Sequence, residues 1–249
     1  MKLIVLAAGY ATRLYPLTLD RPKALLPVAG RPMVEHVLDR VAAIEELDGL
    51  YLVTNAKFAR HFRDWAAGYR PSRPLDVAIV DDGTTDDATR LGAIGDLELV
   101  VSREGVDDDV VVVAGDNLFT ESLEDFGRFG REQDAPVLAV YDVGTLDAIR
   151  SYSAIETDES GRITSFEEKP AAPRSTLAGI ALYFYPRSAL PLVRRYLEEG
   201  NNPDQPGRLI EWLYTRTPVY TWRVPGVWLD IGSEETLREA DRVLRERAP

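Results

Sequence analysis

The residues of this sequence best suited to chemistry are charged groups placed just beyond apolar runs. The opening stretch "KLIVLAAGYATRLYPLTLDRPKALLPVAGRPM" runs from an apolar segment into Gly9, then Arg13 and Lys23. A glycine at a strand's end permits a tight turn and close backbone approach, and the amides around it can point at an anion. Arg13 adds a rigid fork of donors suited to phosphate, and Lys23 a compact positive charge. Pro16, Pro22 and Pro27 restrict the backbone between and beyond these groups. The chemistry this favours is the holding of phosphate, with an ordinary basic surface loop as the plainer reading. A Walker loop is excluded, because Lys23 does not adjoin the glycine and no Ser or Thr follows it. A dinucleotide fingerprint is excluded by the missing glycines.

Two carboxylates stand in comparable places. Asp116 ends "VVVVAGD" and Asp230 lies in "WLDIGS". A carboxylate beyond the carboxyl end of a buried strand can hold a hard cation over a ligand, although either residue alone would serve equally well as a turn or cap. Lys169 in "FEEKP" is a further cation at the end of an expected strand.

These groups need a scaffold. "KLIVLAA", "GLYLVTN", "LDVAIVDD", "DVVVVAGDN" and "APVLAVYDV" are apolar at nearly every position, as strands covered on both faces are. Helix-like segments separate them: "RPMVEHVLDRVAAIEEL", with Met33, Val37, Val41 and Ile44 near one face, then "KFARHFRDWAAGY", "ATRLGAIGDLELVV" and "ESLEDFGRFGREQ". This alternation predicts a mainly parallel sheet with right-handed crossovers. Farther on, "YSAIETDESGRITSFEEKP" predicts two strands joined by a turn at Glu159-Ser160-Gly161, and "AGIALYFYP" another strand. "SALPLVRRYLEEG" and "EETLREADRVLRERA" read as helices, with "NNPDQPGR" as a loop between them. No repeat, low-complexity segment or linker divides the chain.

Composition narrows the function. The 249 residues are 45% hydrophobic, enough for a full core. There is no cysteine, and His36 and His61 are the only histidines, so thiolate chemistry and a zinc site are disfavoured. A metal would need oxygen ligands, which points to magnesium. The net charge of −12 and the absence of a basic run argue against nucleic acid or an anionic membrane as partner. Leu3 to Ala8 is too short an apolar run to span a bilayer and lacks a signal peptide's features, so a cytoplasmic protein is expected.

In order along the chain, "LAAGYATRLYPLT", "RPKALLPVAGRPM", "VVVVAGDN", "FEEKP" and "GVWLDIGSEETL" resemble the signature segments of the sugar-1-phosphate nucleotidyltransferases, such as glucose-1-phosphate thymidylyltransferases. The resemblance covers nearly the whole sequence. It implies an α/β, Rossmann-like fold of the nucleotide-diphospho-sugar transferase, GT-A-like kind: a mainly parallel, mixed sheet between helices, with a small β excursion over the active site. It implies one domain over residues 1–249, with 1–145 mainly for the nucleotide and 146–249 mainly for the sugar phosphate. The expected partners are a nucleoside triphosphate and a sugar 1-phosphate, with Mg2+ as cofactor, and a homo-oligomer is allowed.

Site residues follow by the same resemblance. Arg13, Lys23 and Asp116 are expected to carry catalysis. Leu6, Ala7, Ala8, Gly9, Gly115 and Asp116 would line the nucleotide, with Arg13 and Lys23 on its phosphates. Asp116 and Asp230 would hold the metal. Tyr152, Ser153, Glu168, Lys169 and Gly179 would bind the sugar phosphate. Two positions depart from the family. Ala11 replaces its second glycine, tolerable if φ is negative, and Ser153 stands where relatives have a glycine whose amide meets the sugar. The glutamine-containing base segment of thymidylyltransferases is missing. "VDDGTTDDATRLGAIGDL" stands there instead, leaving Asp82, Gly83, Arg90 and Gly92 as base candidates, or a solvated loop capping a helix through Asp86 or Asp87. Three other readings stay open. One is a cytidylyltransferase for phosphocholine or an alditol or inositol phosphate, with Tyr183, Tyr185 and Trp228 around the acceptor. The second is a binding subunit without turnover. The third is a glycosyltransferase, although Gly115-Asp116-Asn117 is not Asp-x-Asp.

Overall fold

The computed structural model describes residues 1–71, 73 and 75–247. In chain order, β1 (Lys2–Leu6) leads through two short 3-10 turns to the hairpin β2 (Pro27–Val28) and β3 (Arg31–Pro32), then to α1 (Met33–Val41). β4 (Gly49–Thr54), α2 (Ala59–Gly68), β5 (Val77–Asp81), α3 (Ala93–Arg103) and β6 (Val110–Ala114) continue the expected alternation. There follow β7 (Asn117–Phe119), α4 (Glu124–Gln133), β8 (Val137–Asp142), the single turn α5 (Leu146–Ile149), β9 (Ser153–Thr157) and β10 (Ile163–Glu168). The chain then forms β11 (Leu177–Tyr185), α6 (Leu190–Glu198), α7 (Pro206–Leu213), β12 (Tyr220–Arg223), β13 (Trp228–Asp230) and α8 (Glu234–Glu246).

Nine strands form the main sheet, with β10-β9-β11-β6-β1-β4-β5 along one path and β8 and β12 joined to β11's other side. The strands β6, β1, β4 and β5 are mutually parallel. β11 runs antiparallel to β6, β8 and β9, so the second half of the chain extends the sheet in mixed order. A two-stranded ribbon of β7 and β13 stands apart from it.

Period-two alternation divides the central strands between two cores. Leu3 and Val5, Val111 and Val113, and Leu182 and Phe184 face one layer with α1, α2 and α4. Ile4, Val110 and Val112, and Tyr183 and Tyr185 face the other with α3, α6 and α7. Residues covered on both faces have no reason to be polar, which explains the continuous apolar runs.

The helix ends differ from expectation in informative ways. α1 stops at Val41, and Ile44 is buried from the turn beyond it. α3 starts only at Ala93, because Gly92 takes φ 79° and breaks the preceding chain direction. α7 begins inside the segment expected as loop, 201–208: Pro206 supplies its first turn, where a missing N–H costs nothing. α8 is fixed by a capping box between Ser233 and Thr236.

α4 packs closely on β11 through a glycine. A methyl on Gly130 would overlap the ring of the fully buried Phe184. Gly130→Ala should therefore destabilise the fold by about 1–3 kcal/mol, despite alanine's better helix propensity. A lowered urea midpoint with an unchanged m-value is the expected result.

Candidate active site

The carboxyl ends of β1 and β6 lie side by side, with Leu6 opposite Ala114. The loops that leave these ends form a cradle of about 140 Å³ lined by Leu6, Ala7, Gly9, Ala11, Lys23, Ala24, Gly115 and Asp116. The cradle's donors come from backbone and from one lysine. Pro22 sets an extended backbone before the helical turn Lys23–Leu25, and Lys23 Nζ lies 2.5 Å from Asp116 Oδ2. Ala8 lines the adjoining cleft. Arg13 is exposed on the turn Thr12–Leu14, outside the cradle's lining, yet near enough for its charge to act on Asp230.

The ribbon of β7 and β13 brings the second carboxylate in. Its register sets Asp230 opposite Asn117, next to Asp116. Asn117 donates to Asp116 Oδ1 at 3.1 Å and accepts from the Trp228 indole N–H at 2.7 Å. Trp228 thus fixes the Asn117 amide and, through it, one oxygen of Asp116. Burial raises the Asp230 carboxyl above its usual range, and the Asp116 charge adds to the rise, while Lys23 and Arg13 oppose it. Two repelling carboxylates in partial burial suit a hard divalent cation, with waters or phosphate oxygens completing its shell. No group of three or more His, Asp or Glu side chains is clustered for a metal among the described residues, so the protein's share of such a shell is these two.

Beyond Asp230 lies a pocket of about 230 Å³. Tyr152, Ser153, Glu168, Lys169 and Gly179 all line it, so every residue expected for the sugar phosphate falls in one place. Cross-strand pairing of Ser153 with Glu168 lets the serine hydroxyl donate to Glu168 Oε2. Ser153 therefore orients a carboxylate, a role that the expected glycine could not fill. Gly207, in the first turn of α7, packs over this pair. Lys169 takes φ 46°, its N–H bonded to the Tyr152 carbonyl at 3.0 Å. Asn117, Ala181, Pro206 and Asp230 line both this pocket and the cleft beside the cradle, so the two compartments are continuous.

Several expectations need correction. Ala11 has φ 49°, the left-handed conformation for which glycine is favoured, not the negative φ expected. Thr18 Oγ1 holds the Ala11 carbonyl at 2.8 Å in that conformation. Asp82 is absent from the lining of the cleft; its Oδ1 accepts the Thr84 N–H at 2.7 Å instead. Gly92 does line the cleft, but its glycine requirement is structural: a Cβ would come within 2.6 Å of the Pro203 carbonyl oxygen. The solvated-loop reading fits Asp86, which accepts from Ala88 and Thr89 N–H groups, although it caps a turn rather than α3. Tyr185 is core, absent from the pocket lining, so Tyr183, Tyr185 and Trp228 do not form a cation cage.

Asp96 is the group that the sequence reading missed. It lies in the first turn of α3, lines the cleft, and is 5% exposed. An acidic residue in a helix's first turn looks like dipole compensation, so nothing in the sequence marked it as buried.

The fold and site together define an α/β protein whose polar cradle and adjoining pocket lie beyond the carboxyl edge of its sheet. The chain belongs to the nucleotidyl transferase family, whose model matches residues 2–247. It is 27% identical over 250 residues to the UTP–glucose-1-phosphate uridylyltransferase AglF of Haloferax volcanii, covering 99% of this chain and 97% of that protein. It is 29% identical over 257 residues to a glucose-1-phosphate thymidylyltransferase of Neisseria meningitidis, covering 96% of this chain and 81% of that one. The bifunctional protein GlmU of Methanocaldococcus jannaschii is 24% identical over 247 residues and covers 99% of this chain, which spans 55% of GlmU's length. The chain likewise spans only 64% of a Synechocystis UTP–glucose-1-phosphate uridylyltransferase. The fold is that of a UDP-glucose pyrophosphorylase solved with UDP-glucose, at a TM-score of 0.80, 21% identity and 99% coverage of both chains. No helix among the described residues is long and apolar enough to cross a membrane.

Burial, reinforced by the neighbouring Asp82 charge, pushes the Asp96 carboxyl from its ordinary 3.8 up to about 8. A carboxyl raised in the folded state stabilises most below its unfolded value, and that contribution is lost as pH rises toward the folded value. Wild-type stability should fall from about pH 4 to about pH 8, on the order of a few kcal/mol from this group alone. Asp96→Asn cannot ionise, so its urea-derived stability should fall less over the same range. Parallel pH profiles for the two proteins would refute the buried, protonated carboxyl.

Proposed function

We propose that this protein joins a nucleoside triphosphate to a sugar 1-phosphate, giving a nucleotide sugar and pyrophosphate. The observation that carries this reading is the continuity of the two compartments across Asp230. A phosphate cradle with Lys23 and Asp116 opens directly into a pocket lined by Glu168 and Lys169. Family membership and the names of its relatives support the same reaction.

The sugar phosphate supplies its own nucleophile. Its oxygen is already anionic at neutral pH, so no side chain has to remove a proton. An oxygen–Pα bond forms, the Pα–O bond to the β-phosphate breaks, and pyrophosphate leaves with that electron pair. The protein's task is to bring two polyanions together despite a net charge of −12. Lys23 and Lys169 flank the junction and Arg13 adds charge at its mouth, which offsets repulsion and stabilises the charge that develops during transfer. Glu168, fixed by Ser153, accepts hydrogen bonds from sugar hydroxyls. Trp228 and Asn117 hold Asp116 in place. Positioning for in-line attack supplies much of the remaining acceleration.

Asp116 and Asp230 would hold a magnesium ion. When bound, it would add Lewis-acid stabilisation of the α-phosphate oxygens. Lys23 also pairs with Asp116. The two halves of the chain divide the work in this reading, residues 1–145 for the nucleotide and 146–249 for the sugar phosphate, in a cytoplasmic enzyme. The cytidylyltransferase alternative is not favoured, since the relatives named include uridylyl- and thymidylyltransferases for glucose 1-phosphate, and Tyr185 lies in the core away from the pocket lining.

Mixing the purified protein with common nucleoside triphosphates, sugar 1-phosphates and magnesium should release pyrophosphate for at least one pair. Lys23→Ala should lower kcat about 100-fold or more for that pair. Asp116→Ala should abolish the magnesium-dependent rate. Absence of pyrophosphate with every pair would overturn the reaction, and near-normal magnesium-dependent turnover by Asp116→Ala would overturn the metal site.

A further inference from the structure

The pocket beyond Asp230 and the cleft beside the cradle share one wall, built from the chain that enters α7. Asp204 and Pro206 line the cleft, while Gln205, Pro206 and Gly207 line the pocket. Gly207 sits close on the Ser153–Glu168 pair: a Cβ there would come within 3.4 Å of Ser153 Oγ and 3.3 Å of the Phe166 ring. Among the described residues, no hydrogen bond ties Gln205, Pro206 or Gly207 to another element. What fixes this stretch must act just before it.

Two backbone bonds dock the chain on the start of α3. The Ile94 N–H donates to the Pro203 carbonyl at 2.9 Å, and the Ala93 N–H to the Asp204 carbonyl at a long 3.4 Å. The Asp204 N–H turns back to Asn202 Oδ1 in its own loop. The stronger tie is made by side chains. Arg90 Nε and Nη2 donate to Asp204 Oδ1 and Oδ2 at 2.8 and 3.1 Å, a two-pronged contact that sets orientation as well as distance. Arg90 Nη1 donates to the Asp87 carbonyl at 2.9 Å and lies 3.0 Å from Asp87 Oδ2, so the guanidinium is held from its own loop too. The guanidinium also holds the Asp204 carboxyl below its ordinary range. With every nitrogen engaged, Arg90 serves the wall. The two side chains are 41% and 40% exposed, and ion pairs so exposed add little to global stability. Their effect on the site can therefore be separated from their effect on folding.

Resting on the nucleotide-transfer reading of the cleft, we propose that Arg90 and Asp204 are positioning residues for the sugar phosphate. They clamp segment 203–207 to the start of α3 and so set Gly207 against Ser153 and Glu168. Neither side chain lines the pocket, so the clamp acts through the wall and touches no sugar. Small displacements of the groups that position a substrate cost steeply in binding and alignment. Losing the clamp weakens the sugar 1-phosphate, while Lys23 and Asp116 keep their places at the triphosphate's end of the cleft.

The test is steady-state pyrophosphate release with magnesium and the triphosphate and sugar 1-phosphate that the wild type uses best. Arg90→Ala and Asp204→Ala should each raise KM for the sugar 1-phosphate about tenfold, and KM for the triphosphate by less than about threefold. The double variant should be no worse than either single one, because the pair acts as a unit. Arg90→Lys keeps the charge without the fork, so it should recover only part of the loss. An unchanged KM for the sugar 1-phosphate would overturn the proposal. So would an equal rise for both substrates, or single losses that multiply in the double variant. If an alanine variant fails to fold, Asp204→Asn takes its place, with a smaller rise in the same KM. If the wild type releases pyrophosphate from no pair, the transfer reading fails as a separate matter. Amide hydrogen exchange then decides the clamp. Arg90→Ala should speed exchange about tenfold across residues 203–209 and leave β1 and β6 unchanged. Equal protection of residues 203–209 in both proteins would overturn it.

Discussion

Two carboxylates that repel each other are held together at the edge of the sheet, and the arrangement of the site depends on that constraint. Asp116 ends the path of β6, while Asp230 arrives from the far end of the chain. Only the short β7–β13 ribbon brings them into each other's field. Like charges at close range favour protonation of one partner or binding of a cation. Here Lys23 answers part of the repulsion from the first loop of the chain. Burial of Asp230 adds to the cost of its charge, and the ribbon holds the pair in place by tying Trp228 to Asn117. Charge, pairing register and aromatic packing thus all serve the geometry of a single pair of side chains.

The rest of the fold can be understood as two kinds of sheet meeting at that pair. The parallel half ends its strands in loops whose backbone and lysine suit phosphate. The antiparallel half uses cross-strand neighbours, such as Ser153 and Glu168, to aim polar side chains into a pocket. β11 belongs to both halves. Its later residues pair with β6, and its earlier ones, including Gly179, pair with β8 and β9 beside the pocket of Ser153 and Glu168.

How much of this could be read from sequence depended on whether the decisive physics was local. The buried strands were legible because β1, β4, β6 and β8 are apolar at almost every position. That the cradle loop, Asp116 and Asp230, and the residues of the adjoining pocket come together was legible because they occur in ordered segments with a family resemblance. The start of α7 was not, since Pro206 and Gly207 read as loop and their helical state is decided by packing over Ser153 and Glu168. The α3 end of the cleft was the least legible. Asp82 and Asp96 are separated by a turn-rich segment, and nothing local shows that one faces into the wall while the other borders the cleft. The requirement for glycine at position 92 comes from Pro203, more than a hundred residues away.

The conformations of Ala11 and Lys169 connect fold energetics to the site. Both are non-glycine residues with positive φ, at 49° and 46°, and they flank opposite ends of the continuous cleft. Such conformations cost on the order of 1–3 kcal/mol each and persist only where the surroundings hold them. The Thr18 hydroxyl holds the Ala11 carbonyl, and the Tyr152 carbonyl holds the Lys169 N–H. A loop that orders only on binding loses binding energy. Holding the strain in the free protein keeps these two loops ordered beforehand. The same logic applies to the buried Asp82–Asp96 pair, whose desolvation is met during folding. The departures from local backbone preference and from ordinary charge burial therefore fall together around the cleft, and the continuous apolar strands beneath supply the stability that tolerates them.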